Sequence, residues 1–530
     1  MDYYQIRLFL SLLLIFFCTG TALANDGVSP KIDPFLQNEL NNRTASESIE
    51  VILVLDRDPL AQMPEDLVRE MKDRIEGLGG SVSNYAFNNI KATVPVDKIS
   101  EIAKWPEIKV IKLPTRPHVS SMSEGVGVIG ADRWQNSGLL GQGVKVGIID
   151  VGFKGWESAG LTRYYPLKVF GGDENSDTHG AECAALVHDV APGAMLYLAN
   201  IGNADTDLYN AYSWLKSQGV EVISCSLGWD WWWLLSGQID QQTVDQLHSI
   251  VEQAHNDGIT WVNAAGNKAQ QIWLGQANLG QYGQYNYVNF ASGQPVNWFI
   301  LSKHSDSSPS SGRVLVWLIW FNPSANYDLN IYRWNGQNWD IVAHSVSVGT
   351  GLKLCLFQGN RYDITGDIYA AAIKGGWGSS SQDWVGLILD SLDDLQPSFD
   401  PSFGGVYTRI FSIDYPADDP AVLTVGAVPY NNPYQTEEFS SCGPTLSGGA
   451  KPDIVAPDCV TTWFGGNFCG TSAAAPYAAG AVALLKQAHP EWGPDQIKSM
   501  LKATAYDIAP AGWDYCSGAG LMQLGGLLGR

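Results

Sequence analysis

The stretch that decides the fold class of this 530-residue chain is Val144-Lys145-Val146-Gly147-Ile148-Ile149-Asp150. It predicts a buried strand, and three similar runs follow with helical segments between them: Met195 to Asn200, Val220 to Cys225, and Ile259 to Asn263. Strands that alternate with helices are typical of a parallel sheet covered by helices. We therefore predict an α/β fold with a doubly wound parallel sheet.

This alternation stops after Asn267 and resumes near Ala421 to Val428. The intervening stretch is rich in Trp, Tyr, Asn, Gly and Ser, and its apolar runs, such as Arg313 to Trp320, are spaced like the strands of a β sandwich. We predict an inserted all-β, sandwich-like module at residues 285–405, which interrupts a domain at residues 121–530.

The first 120 residues show a different organisation. An apolar run followed by small residues predicts a removed signal peptide at residues 1–24, with an uncleaved membrane anchor as the alternative. Strand-like and charged helical runs predict a small α+β unit at about residues 50–113. The polar stretch from Pro114 to Gly127 has the composition of an exposed, cleavable linker. We expect no membrane span after signal removal.

The chain has 54 acidic and 32 basic side chains, a net charge of -22 that repels phosphate backbones, so we expect no nucleic-acid partner. Of eight cysteines, Cys18 leaves with the signal, and the odd number that remains predicts at least one free thiol. Cys459 with Cys469 is the bridge we expect, whereas Cys183 and Cys225 lie in apolar runs typical of small buried side chains.

Three side chains that could act together lie at the ends of predicted elements. Asp150 closes a strand at the carboxyl edge of the sheet, where open α/β proteins place their sites. His179 precedes a helical run, and Ser472 precedes the apolar run Tyr477 to Leu485. Each alone has an ordinary explanation: a turn residue, a packed or capping histidine, and a helix N-cap.

Together the three residues carry a chemistry that none has alone. A serine hydroxyl needs a neutral imidazole base, and the imidazole needs a carboxylate that fixes its tautomer. The chain order Asp, His, Ser is one in which such triads occur. We predict Asp150, His179 and Ser472 as a catalytic triad, with Ser472 at a helix N-terminus that favours an oxyanion. We expect Pro476 in the first helical turn, where a missing N–H is tolerated.

From about Gly125 to Gly529, with the insertion excepted, the chain resembles the subtilisin-like serine proteases, or subtilases. The resemblance rests on Val146 to Asp150, His179-Gly180, Val190 to Ala194, Ser226-Leu227-Gly228, Ala264-Ala265-Gly266-Asn267, Phe439 to Pro444, Lys451 to Pro457 and Gly470-Thr471-Ser472. It implies a serine endopeptidase of protein or peptide substrates, secreted to the extracellular space or the periplasm and made as a self-processed precursor.

The resemblance also assigns a substrate site. Asn267 would donate its side-chain amide to the oxyanion, together with the backbone N–H of Ser472, and its place after a strand and two small residues agrees with that role. Two tripeptides resemble the walls of the substrate cleft: Ser226, Leu227 and Gly228 on an edge strand, and Ala264, Ala265 and Gly266 opposite.

Residues 25–120 resemble a subtilase propeptide, which would act as an intramolecular inhibitor of the catalytic domain at residues 121–530. We expect no cofactor for catalysis. The resemblance implies bound structural calcium, but the sequence names no metal ligands.

Two positions depart from the family pattern: Val151 replaces a small hydroxyl residue, and Ala181 replaces a threonine. The Trp-rich run Trp229 to Trp233 predicts either an apolar subsite or a seal between the insertion and the core. The alternative to an enzyme is a catalytically silent relative whose insertion binds glycans or protein. A metal hydrolase is disfavoured, because the sequence has no His-Glu-x-x-His run.

Overall fold

The computed structural model describes residues 29–528 apart from 30, 34–35, 37–39, 41–42, 45–46, 59–62, 115–122, 158–165, 203–204, 237–238, 291–292, 304–307 and 394. The chain divides into two compact units, Met1–Val119 and Ser120–Arg530. The predicted signal at residues 1–24 and most of the predicted linker lie outside the described residues. Within the described ranges, no helix has the length and hydrophobicity needed to cross a bilayer.

The first unit is a small α+β fold. Its elements are β1 (Ser48–Leu55), α1 (Glu65–Gly77), β2 (Ser81–Ala86), β3 (Asn89–Pro95), the 3-10 turn Val96–Lys98, α2 (Ile99–Ile102) and β4 (Ile108–Lys112). The strands form an antiparallel sheet in the order β2-β3-β1-β4. Alternate residues of β1 are buried, and Met71 and Ile75 of α1 complete the same core.

The second unit begins with the strand and helix alternation that the sequence predicts. Its first elements are α3 (Gly125–Val128), α4 (Ala131–Asn136), β5 (Lys145–Asp150), β6 (Leu167–Gly171), α5 (His179–Val190), β7 (Met195–Ile201), α6 (Asp205–Gln218), β8 (Val222–Cys225), α7 (Trp233–Ser236), α8 (Gln241–Asn256), β9 (Thr260–Ala264) and the 3-10 turn Ala269–Gln271. Strands β5, β7, β8 and β9 are buried almost along their length, as parallel strands with helices on both faces are, whereas the edge strand β6 is partly exposed.

An antiparallel module follows. It comprises β10 (Ile272–Gln276), β11 (Leu279–Tyr282), β12 (Tyr285–Val288), β13 (Asn297–Lys303), β14 (Ser311–Trp320), β15 (Tyr327–Trp334), β16 (Trp339–His344), β17 (Val346–Gly349), β18 (Leu352–Asn360), α9 (Tyr362–Thr365), β19 (Ile368–Gly375), β20 (Trp384–Ser391), β21 (Leu395–Phe399) and the 3-10 turn Pro401–Phe403. One sheet has the order β10-β20-β14-β18-β17, and the other has β11-β12-β19-β13-β21, with β15 on β19 and β16 on β15.

The two sheets of the module share one apolar core, to which β14 contributes Val316 and β19 contributes Tyr369. Strands β10 and β11 already belong to these sheets, so the module starts before the predicted residue 285. The sequence does not predict this start, because Gly275, Gln276 and Asn278 interrupt the apolar pattern there.

The chain then completes the parallel sheet. The last elements are β22 (Leu423–Pro429), β23 (Ile454–Asp458), β24 (Val460–Thr461), β25 (Asn467–Phe468), α10 (Thr471–Ala488) and α11 (Pro494–Thr504). The seven strands follow the order β23-β22-β9-β8-β5-β7-β6, and every pairing is parallel. The α/β prediction is therefore confirmed. Since β9 and β22 pair directly, the module leaves and re-enters between neighbouring strands.

The burial of helix α10 determines where its N-terminus lies. From Ala473 to Leu485 all of its residues are buried, and the helix packs against α5 and the central strands. A helix that is apolar on every side is a core helix. Its first turn is therefore held against the carboxyl ends of the strands, where Asp150 also lies.

The Trp-rich run seals the module against the helices and sheet beside it. Trp232 is fully buried, in a cluster with Ile272, Leu315 and Trp317 from the module. The ring N–H groups of Trp232 and Trp233 both donate to Asp390 Oδ2, at 3.2 and 3.3 Å. Of the two interpretations of this run, the structure favours the seal.

Two disulfides join cysteines of the second unit. The predicted Cys459–Cys469 bridge is confirmed, and a second bridge, Cys442–Cys516, was not predicted. Cys183, Cys225 and Cys355 are free and buried, which confirms the expectation of at least one free thiol.

Candidate active site

The carboxylate and the imidazole of the predicted triad form a direct pair. Asp150 is fully buried at the end of β5, and its Oδ1 and Oδ2 lie 2.8 and 3.0 Å from His179 Nδ1. Gly180 permits this approach, because a Cβ there would lie 2.6 Å from the Asp150 Cβ. The Val151 N–H donates to Asp150 Oδ1 at 2.8 Å, so the backbone supports the carboxylate although Val151 has no hydroxyl.

His179 begins α5, where the Asp177 carboxylate accepts its backbone N–H at 2.9 Å. Burial alone would lower the pKa of His179, but the charge and hydrogen bond of Asp150, with smaller contributions from Asp177 and Glu182, raise it to about 8. The carboxylate therefore stabilises the imidazolium that forms when His179 takes a proton.

Ser472 is the second residue of α10, and its Oγ donates to the carbonyl of Ser226 at 3.4 Å. Both side chains are described in the structure, and no hydrogen bond joins Ser472 Oγ to His179 in this rotamer. The two residues are nevertheless neighbours, because Cys183, one turn after His179 on α5, places its Sγ 3.5 Å from the Ser472 carbonyl. A rotation about χ1 of Ser472 is what would direct its Oγ toward the imidazole.

The expectation for Pro476 was wrong. Pro476 is the sixth residue of α10 and lies inside the helix rather than in its first turn. Its missing N–H leaves the Ser472 carbonyl without its helical donor. Ser226 Oγ supplies a hydrogen bond to that carbonyl at 3.0 Å, and Cys183 Sγ supplies the weaker one. The proline thus opens the first turn without leaving a buried acceptor unpaired.

Asn267 lies beside the residue that precedes Ser472, and the oxygen of its amide is fixed there. Its Oδ1 accepts from the backbone N–H of Thr471 at 2.9 Å and from Thr471 Oγ1 at 3.0 Å. No hydrogen bond within the described chain uses its Nδ2, so this N–H remains a donor for a ligand. The sequence predicts Asn267 Nδ2 and the backbone N–H of Ser472 as the two donors of an oxyanion site.

The two predicted cleft segments lie on either side of these donors. Strand β8 ends at Cys225, so Ser226, Leu227 and Gly228 continue beyond the sheet rather than within a strand. The Leu227 carbonyl accepts from Asn263 Nδ2 at 3.0 Å. On the other side Ala264 ends β9, Ala265 is buried, and the Gly266 N–H donates to Thr471 Oγ1 at 3.2 Å.

Two residues of this site escaped the sequence reasoning. Thr471 orients Asn267, and its place directly before Ser472 was the available signal. Cys183 has its Sγ within 4.8 Å of the Asp150 carboxylate and a His179 ring nitrogen. It follows His179 by four residues, and such residues share one face of a helix.

Calcium does not fit the acidic and sulfur clusters of the described residues. One cluster is Asp150, His179 and Cys183, in which Asp150 already bonds His179, and the other is Asp458 with the disulfide-bonded Cys459 and Cys469. Calcium takes six to eight oxygen ligands, which neither set offers.

The carboxyl ends of the parallel strands thus bring together the Ser472 hydroxyl, the His179 imidazole paired with Asp150, and the Asn267 amide. The model of the subtilase family matches residues 141–289 and 408–520, on both sides of the module. The chain belongs to the subtilase family.

Two relatives differ in how much of the chain they match. Subtilisin from Bacillus pumilus is 36% identical over 118 residues, which are 21% of this chain and 39% of that protein. The minor extracellular protease Vpr from Bacillus subtilis is 22% identical over 80% of this chain and 55% of its own length. The chain thus spans less than two thirds of each relative. The solved structure of the Clostridium perfringens CspB protease, 17% identical, covers 75% of this chain and 94% of its own with a TM-score of 0.47.

Proposed function

We propose that the protein is a serine endopeptidase that hydrolyses peptide bonds through an acyl-enzyme. Ser472 Oγ attacks the scissile carbonyl while His179 Nε2 takes its proton, and the same proton then passes to the leaving amine. Water, activated by His179, attacks the acyl ester and releases the second product. The observation that carries the proposal is the buried Asp150 carboxylate 2.8 Å from His179 Nδ1, next to a serine at a helix N-terminus.

The oxyanion formed in each step would lie between two donors, Asn267 Nδ2 and the backbone N–H of Ser472. Thr471 holds the Asn267 amide through its Oδ1, so no reorientation is needed when the negative charge develops. Donors fixed in advance contribute more to the transition state than donors that must turn.

We also propose that the protein is secreted as a precursor, with residues 25–120 as an inhibitory propeptide that the enzyme itself removes. The two disulfides support an oxidising compartment, and one relative is named as an extracellular protease. The α+β unit at residues 48–112 has its own sheet and core, as a separable segment requires.

A labelled fluorophosphonate tests the proposal, because it bonds only to an activated serine. The wild-type protein should be labelled at Ser472, and Ser472→Ala should be neither labelled nor processed. Ser217→Ala is the matched control, since Ser217 is exposed on α6 and should leave labelling unchanged. Processing of purified Ser472→Ala at the same site, without any other protease, would contradict self-processing.

The alternative function, a silent relative that binds glycans or protein, has one observation in its favour. The module carries an aromatic-lined cleft of about 360 Å³ formed by Trp298, Trp334, Trp339, Ile368 and Phe403. Indole faces in an open cleft suit stacking against sugar rings or apolar side chains. Unlabelled Ser472 together with retention of the protein on insoluble polysaccharide, lost in Trp339→Ala, would favour this alternative.

A further inference from the structure

The two cleft segments converge on the nucleophile from opposite sides. The Ser226 carbonyl accepts from Ser472 Oγ, and the Gly266 N–H donates to the neighbouring Thr471. A substrate whose carbonyl carbon meets Ser472 Oγ and whose oxygen faces Asn267 Nδ2 places the preceding side chain between these segments. That gap is where specificity for the residue before the scissile bond would be set.

Asp414 closes the gap. Its backbone N–H donates to the Ala265 carbonyl at 3.3 Å, and the next residue, Tyr415, exchanges two 2.9 Å backbone hydrogen bonds with Trp229. The segment therefore crosses from one wall to the other.

The Asp414 side chain lies against the glycines of both walls. A Cβ at Gly228 would lie 2.7 Å from Asp414 Cβ, and a Cβ at Gly266 would collide with Asp414 Oδ2. Gly266 also has a φ of +105°, which side chains rarely adopt. The two glycines leave the space between the walls to the Asp414 carboxyl, which forms the floor.

This floor carries an unpaired acceptor. Asp414 is only 5% exposed, and its Oδ1 has no hydrogen-bond partner among the described residues. A buried carboxyl oxygen without a donor is costly to the fold, so such an atom is a sign of a missing ligand.

The surroundings of Asp414 hold more carboxyl groups than cations. Asp230 lies close to it, and Asp418 adds a further negative charge. Lys268, whose Nζ is 3.2 Å from Asp230 Oδ2, is the cation that Asp230, Asp390 and Asp414 share. Burial, reinforced by the charge of Asp230, raises the pKa of Asp414 well above its usual range. A second cation would therefore be attracted to this cluster and would favour ionised Asp414.

We propose that Asp414 makes the enzyme select lysine or arginine immediately before the scissile bond. This inference rests on the proposed endopeptidase function. A cationic side chain gives Asp414 Oδ1 a charged donor and offsets the excess of carboxylates. A neutral or apolar side chain leaves that oxygen buried and unpaired.

The test is a series of chromogenic peptides that differ only in the residue before the cleaved bond: arginine, lysine, citrulline, alanine and glutamate. Citrulline has the shape of arginine without its charge. For the processed wild-type enzyme we expect kcat/KM to be at least tenfold higher with arginine or lysine than with citrulline. In Asp414→Asn we expect the arginine to citrulline ratio to fall at least tenfold. Asp495→Asn, an exposed change of equal charge on α11, should keep the wild-type ratio.

A wild-type enzyme that is labelled by fluorophosphonate but prefers alanine or citrulline overturns this inference and leaves the proposed function standing. An unlabelled Ser472 overturns the proposed function and this inference with it. The wild-type profile decides the question even when Asp414→Asn does not fold.

Discussion

The parallel sheet and the antiparallel module differ in what their sequences reveal. In the sheet region the chemistry restricts the residues at the ends of elements, so Asp150, His179, Asn267 and Ser472 stand out as motifs. In the module any combination that fills the space between two sheets suffices, and the sequence indicates only the class of fold. The Trp232 cluster joins the two regions and belongs to both. Candidate site residues are therefore easier to predict from a sequence than the packing of a core.

The largest expected effect lies in the sheet region. Asp150→Asn should lower kcat about ten-thousandfold, because an amide favours the wrong imidazole tautomer and no longer stabilises the imidazolium. In the wild type, His179 has a pKa of about 8 and acts only when neutral, so kcat/KM should rise with pH up to about 8 and then level off. Loss of the Asp150 charge should move this rise to lower pH.

The measurement is a pH profile of kcat/KM on a chromogenic peptide for both proteins. The control from the other region is Asp340→Asn, an exposed carboxylate of β16 that pairs with Arg333 and should change neither rate nor profile. If the profile of Asp150→Asn keeps its midpoint near 8, the carboxylate does not set the pKa of His179.

The second effect concerns the contact between the two regions, the cluster around Trp232, which we call the seam. Trp232→Ala should destabilise the protein by about 3–5 kcal/mol, the usual cost of truncating a fully buried large side chain. It should also leave Asp390 Oδ2 with one indole donor instead of two, since the ring N–H of Trp233 remains and that of Trp232 is lost. Denaturant unfolding of the processed enzyme gives the free energy.

Trp377→Ala is the matched control, because Trp377, which lies in the module, is 71% exposed and its truncation should cost little. Equal effects of the two substitutions would show that the seam is not a shared core. The module and the parallel sheet would then be more independent of each other than their contacts in the structure indicate.

The features that the sequence predicts correctly are those that depend on residues close together in the chain. The β5 run, the strand and helix alternation and the Cys459–Cys469 pair each depend on residues close in sequence. Cys442–Cys516, the early start of the module at Ile272 and the position of Asp414 depend on contacts between distant segments. Pro476 was misplaced for the same reason, because the start of α10 is fixed by Asn267 and Ser226 rather than by the helix's own sequence.

The third effect again belongs to the sheet region. Asn267→Ala should lower kcat about a hundredfold or more and change KM little, because the lost hydrogen bond strengthens only as the oxyanion forms. Steady-state kinetics on one peptide separate the two parameters. Asn338→Ala, an exposed asparagine in the module, should change neither. A rise in KM with unchanged kcat would assign Asn267 to substrate binding instead.

The smallest expected effect tests how the oxyanion donor is positioned. Thr471→Val keeps the volume of a fully buried side chain but removes the Oγ1 that bonds Asn267 Oδ1 at 3.0 Å, while the backbone N–H of residue 471 still holds that oxygen. A single neutral hydrogen bond contributes about 0.5–1.5 kcal/mol, so kcat should fall by roughly two- to tenfold with little change in KM. The decisive measurement is a double-mutant cycle with Asn267→Ala. If Thr471 acts by orienting the amide, Thr471→Val should have almost no further effect once that amide is gone. Equal losses in both backgrounds would instead show that Thr471 supports the site through Gly266, to which its Oγ1 is also bonded.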